Sequence, residues 1–224
     1  MLLGARQFFE RRGAPTPPLP YDAEVEYLES TGTQYVQTNI KPNVGDIYSV
    51  ESVVQYASNV SSNTWLTGWW TGVDCSSLFG TFQNQLYFTY NRDDNIARTN
   101  VGLYNKHRIR YNFPQGIFID DTQLSSMVAA NTPLTIIPND RVFVGLAIFR
   151  SYSGSLYGYD VRTNIKAKLF NFSILINGVV VFDGIPVRFT NELGNSEGAM
   201  YDRVSGQLFR NAGTGAFTIG PDKS

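Results

Sequence analysis

The chain has one cysteine, Cys75, and one histidine, His107, among 224 residues. A lone thiol forms no internal disulfide, so the fold does not depend on an oxidising compartment. A lone histidine among Lys106, Arg108 and Arg110 is a poor general base and no metal site by itself, and it reads as a surface or pairing residue. Charge is scarce as well: 17% of residues, against roughly 25% in an average globular protein. With a net charge of −1 and no block of like charges, nothing pulls the chain toward nucleic acid or an anionic membrane. Long apolar runs are missing too. No stretch approaches the ~20 apolar residues of a membrane span. The run in MLLGARQFFERR is broken by Arg6 and Glu10 and is too short for a signal-peptide core.

Motifs of catalysis are also missing. There is no HExxH, no GxSxG elbow and no phosphate loop. A retaining glycosidase needs two carboxylates about 5 Å apart, and no E-x-D-x-x-E strand supplies them. Glu24 and Glu26 lie at the domain entry, and the adjacent pairs Asp93-Asp94 and Asp120-Asp121 point to opposite faces if extended. The expectation is a protein that is not an enzyme and carries no cofactor. Asp93, Asp94 and Asn95, or Asp120 and Asp121, have the hard oxygens calcium prefers. The same residues are ordinary turn formers, and no metal is assigned.

What is present is apolar and aromatic, at 42% and 14%, enough for a packed core. Residues 1–20 stand apart from the rest. MLLGARQFFERR offers Leu2, Leu3, Phe8 and Phe9 as apolar groups, and Pro15, Pro17, Pro18 and Pro20 follow as a stiff, extended spacer. This tail reads either as disorder or as an anchor docking into a partner through those four side chains.

Residues 21–224 read as one domain of short strands. In DIYSVESVVQYAS, Tyr48, Val50, Ser52 and Val54 alternate with Ile47, Ser49, Glu51 and Val53. SLFGTFQNQLYFTYN predicts a hairpin turning at Gln83-Asn84-Gln85. KHRIRYNFPQGIFIDDTQL predicts strands over Arg108–Phe113 and Gly116–Asp120. RVFVGLAIF reads as a core strand, and LSSMVAAN as one helical turn. In KAKLFNFSILINGVVVFDGIPVRF, Phe170, Phe172, Ile174 and Ile176 share a face and Asn177-Gly178 suits a type I′ turn. The pattern predicts an all-β, antiparallel two-sheet sandwich.

The two ends of the domain carry more specific signals. EYLESTGTQYVQT, Glu26 to Thr38, opens it. GVVVFDGIPVRF and GAMYDRVSGQLFRNAGTGAF, within Gly178 to Phe217, close it. Together they resemble concanavalin A-like, laminin-G-like domains of tailed bacteriophages and gut bacteria. Gln37 stands where that group has Asp, Asn39 where it has Gly, and Ala199 just before Met200, so a role held by that Asp is not carried to this chain. The resemblance implies a jelly roll whose first and last strands pair. Thr31-Gly32-Thr33 would then be a turn, Leu28, Tyr35 and Val36 apolar contacts, and Asn211–Gly215 a tight turn whose glycines take positive φ.

The resemblance further implies a virion structural protein, a capsid decoration, head-fibre or tail-associated subunit. It would dock on other virion proteins through its tail, pack beside copies of itself, and sit on the particle surface after assembly in the host cytoplasm. The alternative is an adhesin for host-surface polysaccharide. NTWLTGWWTG supplies that reading: aromatic faces stack on sugar rings and amides bond their hydroxyls. Strand alternation turns one of Trp69 and Trp70 inward and the other outward. The outward one, with Asn63, is the candidate glycan site, and Trp65 is expected in the core.

Overall fold

In the computed structural model the described residues are 18–57, 63–70, 76–82, 85–99, 102, 104–113, 116–125, 132–135, 147–148, 150–155, 158–163 and 165–224. Side chains at 63, 70, 76–78, 82, 92–97, 112–113, 125, 147, 150–155 and 158–163 are not described. Leu2, Leu3, Phe8 and Phe9 of the expected anchor, Cys75, the turn at Gln83-Asn84 and most of LSSMVAAN lie outside the described residues.

Among the described residues there is no helix, and the strands run in chain order as follows. The first six are β1 (Ala23–Glu24), β2 (Leu28–Thr31), β3 (Val36–Gln37), β4 (Tyr48–Tyr56), β5 (Asn63–Trp70) and β6 (Ser76–Phe82). Then come β7 (Gln85–Tyr90), β8 (Arg92–Thr99), β9 (His107–Phe113), β10 (Gly116–Ile119), β11 (Thr122–Ser125), β12 (Ala147–Ile148) and β13 (Arg150–Ser155). The last are β14 (Gly158–Thr163), β15 (Lys166–Ile176), β16 (Val179–Thr190), β17 (Ser196–Asp202), β18 (Gln207–Phe209) and β19 (Thr218–Ile219).

They form a β-sandwich. One sheet runs β11-β10-β9-β4-β15-β16-β17-β18, with β1 on β16 and β2 joining β15 to β19. The other runs β14-β13-β5-β6-β7-β8, and β3 pairs β12. All pairing is antiparallel except β13 with β5. The expected strands over residues 47–56, 108–120 and 166–189 and the hairpin strands over 76–90 are in place; of RVFVGLAIF only Ala147–Ile148 is described, and it is a strand. Asp120 and Asp121, with φ of 48° and 65°, turn β10 into β11, a hairpin that the sequence reading did not separate.

The sheets close on aromatic rings. Tyr48, Val50, Ser52, Val54 and Tyr56 of β4 are buried, as the alternation predicts. Tyr111 of β9 lies 5.9 Å from Phe88, 6.2 Å from Phe79 and 6.0 Å from Tyr48, so it bridges the two sheets. Such offset and edge-on pairs add to the gain from burying each ring.

The two polar ends of the domain meet each other. β2 pairs β19, with Leu28 opposite Ile219. Ala212 N–H donates to Tyr35 O at 2.8 Å, and Asn211 Oδ1 accepts from Tyr35 N–H at 3.2 Å and Gly213 N–H at 2.9 Å. Buried Gln34 folds its Oε1 onto Thr31 N–H at 2.9 Å. The Thr, Gln and Asn of these motifs are therefore backbone partners at a crowded seam. Gly215 has the expected positive φ, 71°. Gly213 is needed for a different reason: a Cβ there would lie 2.1 Å from Thr33 O.

Two details depart from strict alternation. β15 bulges between Leu169 and Asn171. Leu169, Phe172 and Ile174 therefore face the core, while Phe170 is half-buried against Tyr27 outside it. The expected single face of Phe170, Phe172, Ile174 and Ile176 is corrected by that extra residue. Asn177 and Gly178, with φ of 53° and 78°, make the expected turn.

Candidate functional site

β15 changes partners along one edge, and a groove opens where it does so. β4 flanks one edge for nearly its whole length. The other edge is shared: β2 pairs Lys166 to Leu169 and β16 pairs Phe172 to Ile176. Between those stretches the two partners diverge, leaving Phe170 and Asn171 at a fork on the outer face. The space there is about 340 Å³.

Each polar wall of the fork has a built-in partner. Asn171 Oδ1 accepts from Val53 N–H at 2.8 Å, satisfying the backbone donor that the bulge frees. Ser173 Oγ donates to Asp183 Oδ1 at 3.2 Å, and Arg203 Nε donates to Asp183 Oδ2 at 2.9 Å. Arg108 holds Glu51 at 2.5 Å, and Lys223 faces Glu24 at 3.5 Å. Asp183 is itself placed by its neighbour: its N–H donates at 2.7 Å to Asp202, a buried carboxylate that also accepts from Val204 N–H, Ser205 N–H and Ser205 Oγ.

A second groove of about 300 Å³ lies further along the same face, lined by Glu29, Gln55, Tyr104 and Lys168 beside the end of β4. Tyr104 is 51% exposed. An aromatic pair joins the grooves: Tyr27 and Phe170 meet edge-on at 5.6 Å. Lys106 Nζ sits 3.8 Å over the Phe170 ring and Lys168 Nζ 4.4 Å over Tyr27.

Trp69 is the inward member of the Trp69–Trp70 pair, and Trp65 is the tryptophan that departs from expectation. Trp69 is fully buried, tilted against Tyr48 at 5.7 Å, so it has no face for a sugar. The side chains of Trp70 and Asn63 lie outside those described. Trp65, expected in the core, is half-buried and outward, because β5 bulges between Trp65 and Thr67 and flips the alternation. It meets Tyr87 edge-on at 5.5 Å across Gly80, where a Cβ would lie 2.9 Å from the indole, and Arg98 covers Tyr87.

His107 Nδ1 lies 2.6 Å from Asp120 Oδ2 and Nε2 lies 3.0 Å from Gly102 O, so both nitrogens are engaged in pairing. Asp120 also accepts from Arg108 N–H and Asp121 from Arg110, which gives both turn residues protein partners. Among the described residues no cluster of three metal-ligating side chains occurs, and no helix is long and apolar enough to cross a membrane. The fork and the aromatic join were not legible in the sequence. The doubled use of the β15 edge appears only once β2 and β16 are placed, and the bulge that exposes Phe170 has no marker residue.

No protein-family profile matches the chain, and no curated protein does. Among solved structures it is similar to a crystal structure described as a "putative carbohydrate binding protein" from Bacteroides ovatus. The TM-score is 0.53 at 13% identity, over 90% of this chain and 61% of that one. The likeness is one of fold. It supports the lectin-like jelly roll and transfers no residue. This chain spans about three fifths of that protein's length.

Proposed function

We infer that the domain binds carbohydrate at the β2–β16 fork. The observation that carries this reading is the mixed wall of the groove. Carboxylates, an amide, a hydroxyl and two cations lie beside a half-buried aromatic pair, so donors, acceptors and a ring edge converge on one open site. Sugar hydroxyls both donate and accept, and such a wall answers both. Binding without turnover fits the way the carboxylates are used. Glu24, Glu51 and Asp183 are each engaged by a cation of the protein, whereas a glycosidase aims two of them at one bond. The fold likeness to a protein described as carbohydrate binding supports the same reading.

The test is titration calorimetry against a panel of bacterial and plant oligosaccharides, with Ser173→Trp as the blocking variant. Ser173 is half-buried on the outer face, so an indole there fills the groove without entering the core. Wild type should bind at least one oligosaccharide, and Ser173→Trp should lose it while melting normally. Unchanged binding by the variant would place the site elsewhere.

The role as a virion surface subunit is a separate proposal, supported by the sequence resemblance at the two ends of the domain. Its test compares the full chain with a form starting at Tyr21 for binding to particles that lack the protein. Tyr21 packs edge-on against Tyr201 at 4.9 Å, so this cut leaves that contact in place. The proposal requires only the full chain to bind.

A further inference from the structure

The charges and the layout of the two grooves specify what kind of glycan fits. In the fork each carboxylate is matched by one cation: Asp183 by Arg203 at 2.7 Å, Glu51 by Arg108 at 2.5 Å and Glu24 by Lys223 at 3.5 Å. In the second groove Glu29 and Lys168 stand together on the lining. A uronate or sulfated sugar would meet Glu24, Glu29, Glu51 and Asp183 along this face, where the fork's cations are already held by acids. In the fork an added anion stays unmatched unless it breaks one of these pairs, and the cations outside them, Lys106 and Lys168, lie over the Phe170 and Tyr27 rings. A neutral sugar meets no such penalty.

Both grooves border β15, the second at Lys168 and the fork from Phe170 to Ser173. From Lys168 to Ser173 the strand covers about 16 Å at the usual rise. Tyr27 and Phe170 fill the step between the grooves, so the apolar contact lies midway and polar groups lie at both ends. The lysines over these rings keep their use as donors, because an ammonium carries three N–H groups.

Resting on the carbohydrate-binding reading, we propose that the ligand is a neutral, extended oligosaccharide lying along β15 across both grooves. It crosses the Tyr27–Phe170 step between the Glu29–Tyr104 groove and the Ser173–Asp183 fork.

Calorimetry on the full chain with neutral glucan, mannan, galactan and xylan oligosaccharides tests this, using a disaccharide and a hexasaccharide of each. Oligogalacturonate of equal length is the acidic comparison. The variants are Ser173→Trp in the fork and Tyr104→Ala in the second groove. Tyr104 is exposed, and Gln55 Nε2 donates to its backbone oxygen rather than to its side chain, so the alanine form keeps that bond. The expected result has a neutral hexasaccharide bound about tenfold tighter than its disaccharide, a difference of about 1.4 kcal/mol. Tyr104→Ala should erase that gain, and Ser173→Trp should weaken binding of both lengths. Neutral glycans bound with no gain in length, or a silent Tyr104→Ala, would overturn the two-groove path and leave the fork as the site. Tighter binding of oligogalacturonate would overturn neutrality. If neither kind binds, the carbohydrate reading falls and this proposal with it.

Discussion

Trp69 and Trp65 differ by four positions and do different work. Trp69 fills the space between the sheets against Tyr48. Its replacement by alanine should cost about 3–5 kcal/mol, measured by urea unfolding, because the neighbours cannot collapse into the vacated volume. Trp65→Ala removes an outward ring and should cost clearly less. A period-2 reading of NTWLTGWWTG predicts both indoles on one face, and the bulge at Leu66 reverses the first of them. At the same scale, Asp120 ties a turn to β9. Partial burial raises its pKa, but the hydrogen bonds from His107 and Arg108 N–H outweigh that and hold it below the usual range. A group depressed in the folded state adds stability above its ordinary value, near 4, and loses it as pH falls through the lower folded value. Melting curves of wild type and Asp120→Asn should therefore differ at neutral pH and converge in acid. A gap independent of pH would rule this out.

At the scale of elements, the hairpins were the most legible part. Asn-Gly between alternating apolar runs gave β15–β16, because few residue pairs accept positive φ at both turn positions. The MYDRVSG segment was legible as a motif but not as a mechanism. Its Asp202 is nearly completely buried and receives three backbone N–H groups and one hydroxyl. Asp202→Ala strands those donors and should cost on the order of 3 kcal/mol or more, with Asp202→Asn milder, both by chemical unfolding. Since Asp183 is placed by the same carboxylate, the alanine form should also weaken whatever binds in the fork. Equal stability of Asp202→Ala and wild type would mean that the turn closes without it. The fork itself was not legible, because it arises from two strands far apart in sequence sharing one edge of β15.

At the scale of the whole molecule, the all-β class followed from short strand-like runs and the lack of any capped helical period. The jelly-roll arrangement followed from the two ends, whose polar residues turn out to bond one another across the seam. What composition could not supply was the position of the outer-face grooves. Low charge is a property of the total, and the pairing of Glu24, Glu51 and Asp183 with cations appears only after folding. The central claim is that the fork takes a sugar, and it is tested most directly by calorimetry of a neutral hexasaccharide panel against wild type and Ser173→Trp. The account predicts saturable binding by wild type that is lost in the variant, with an unchanged melting temperature. Binding that survives the indole, or no binding to any glycan, would contradict it.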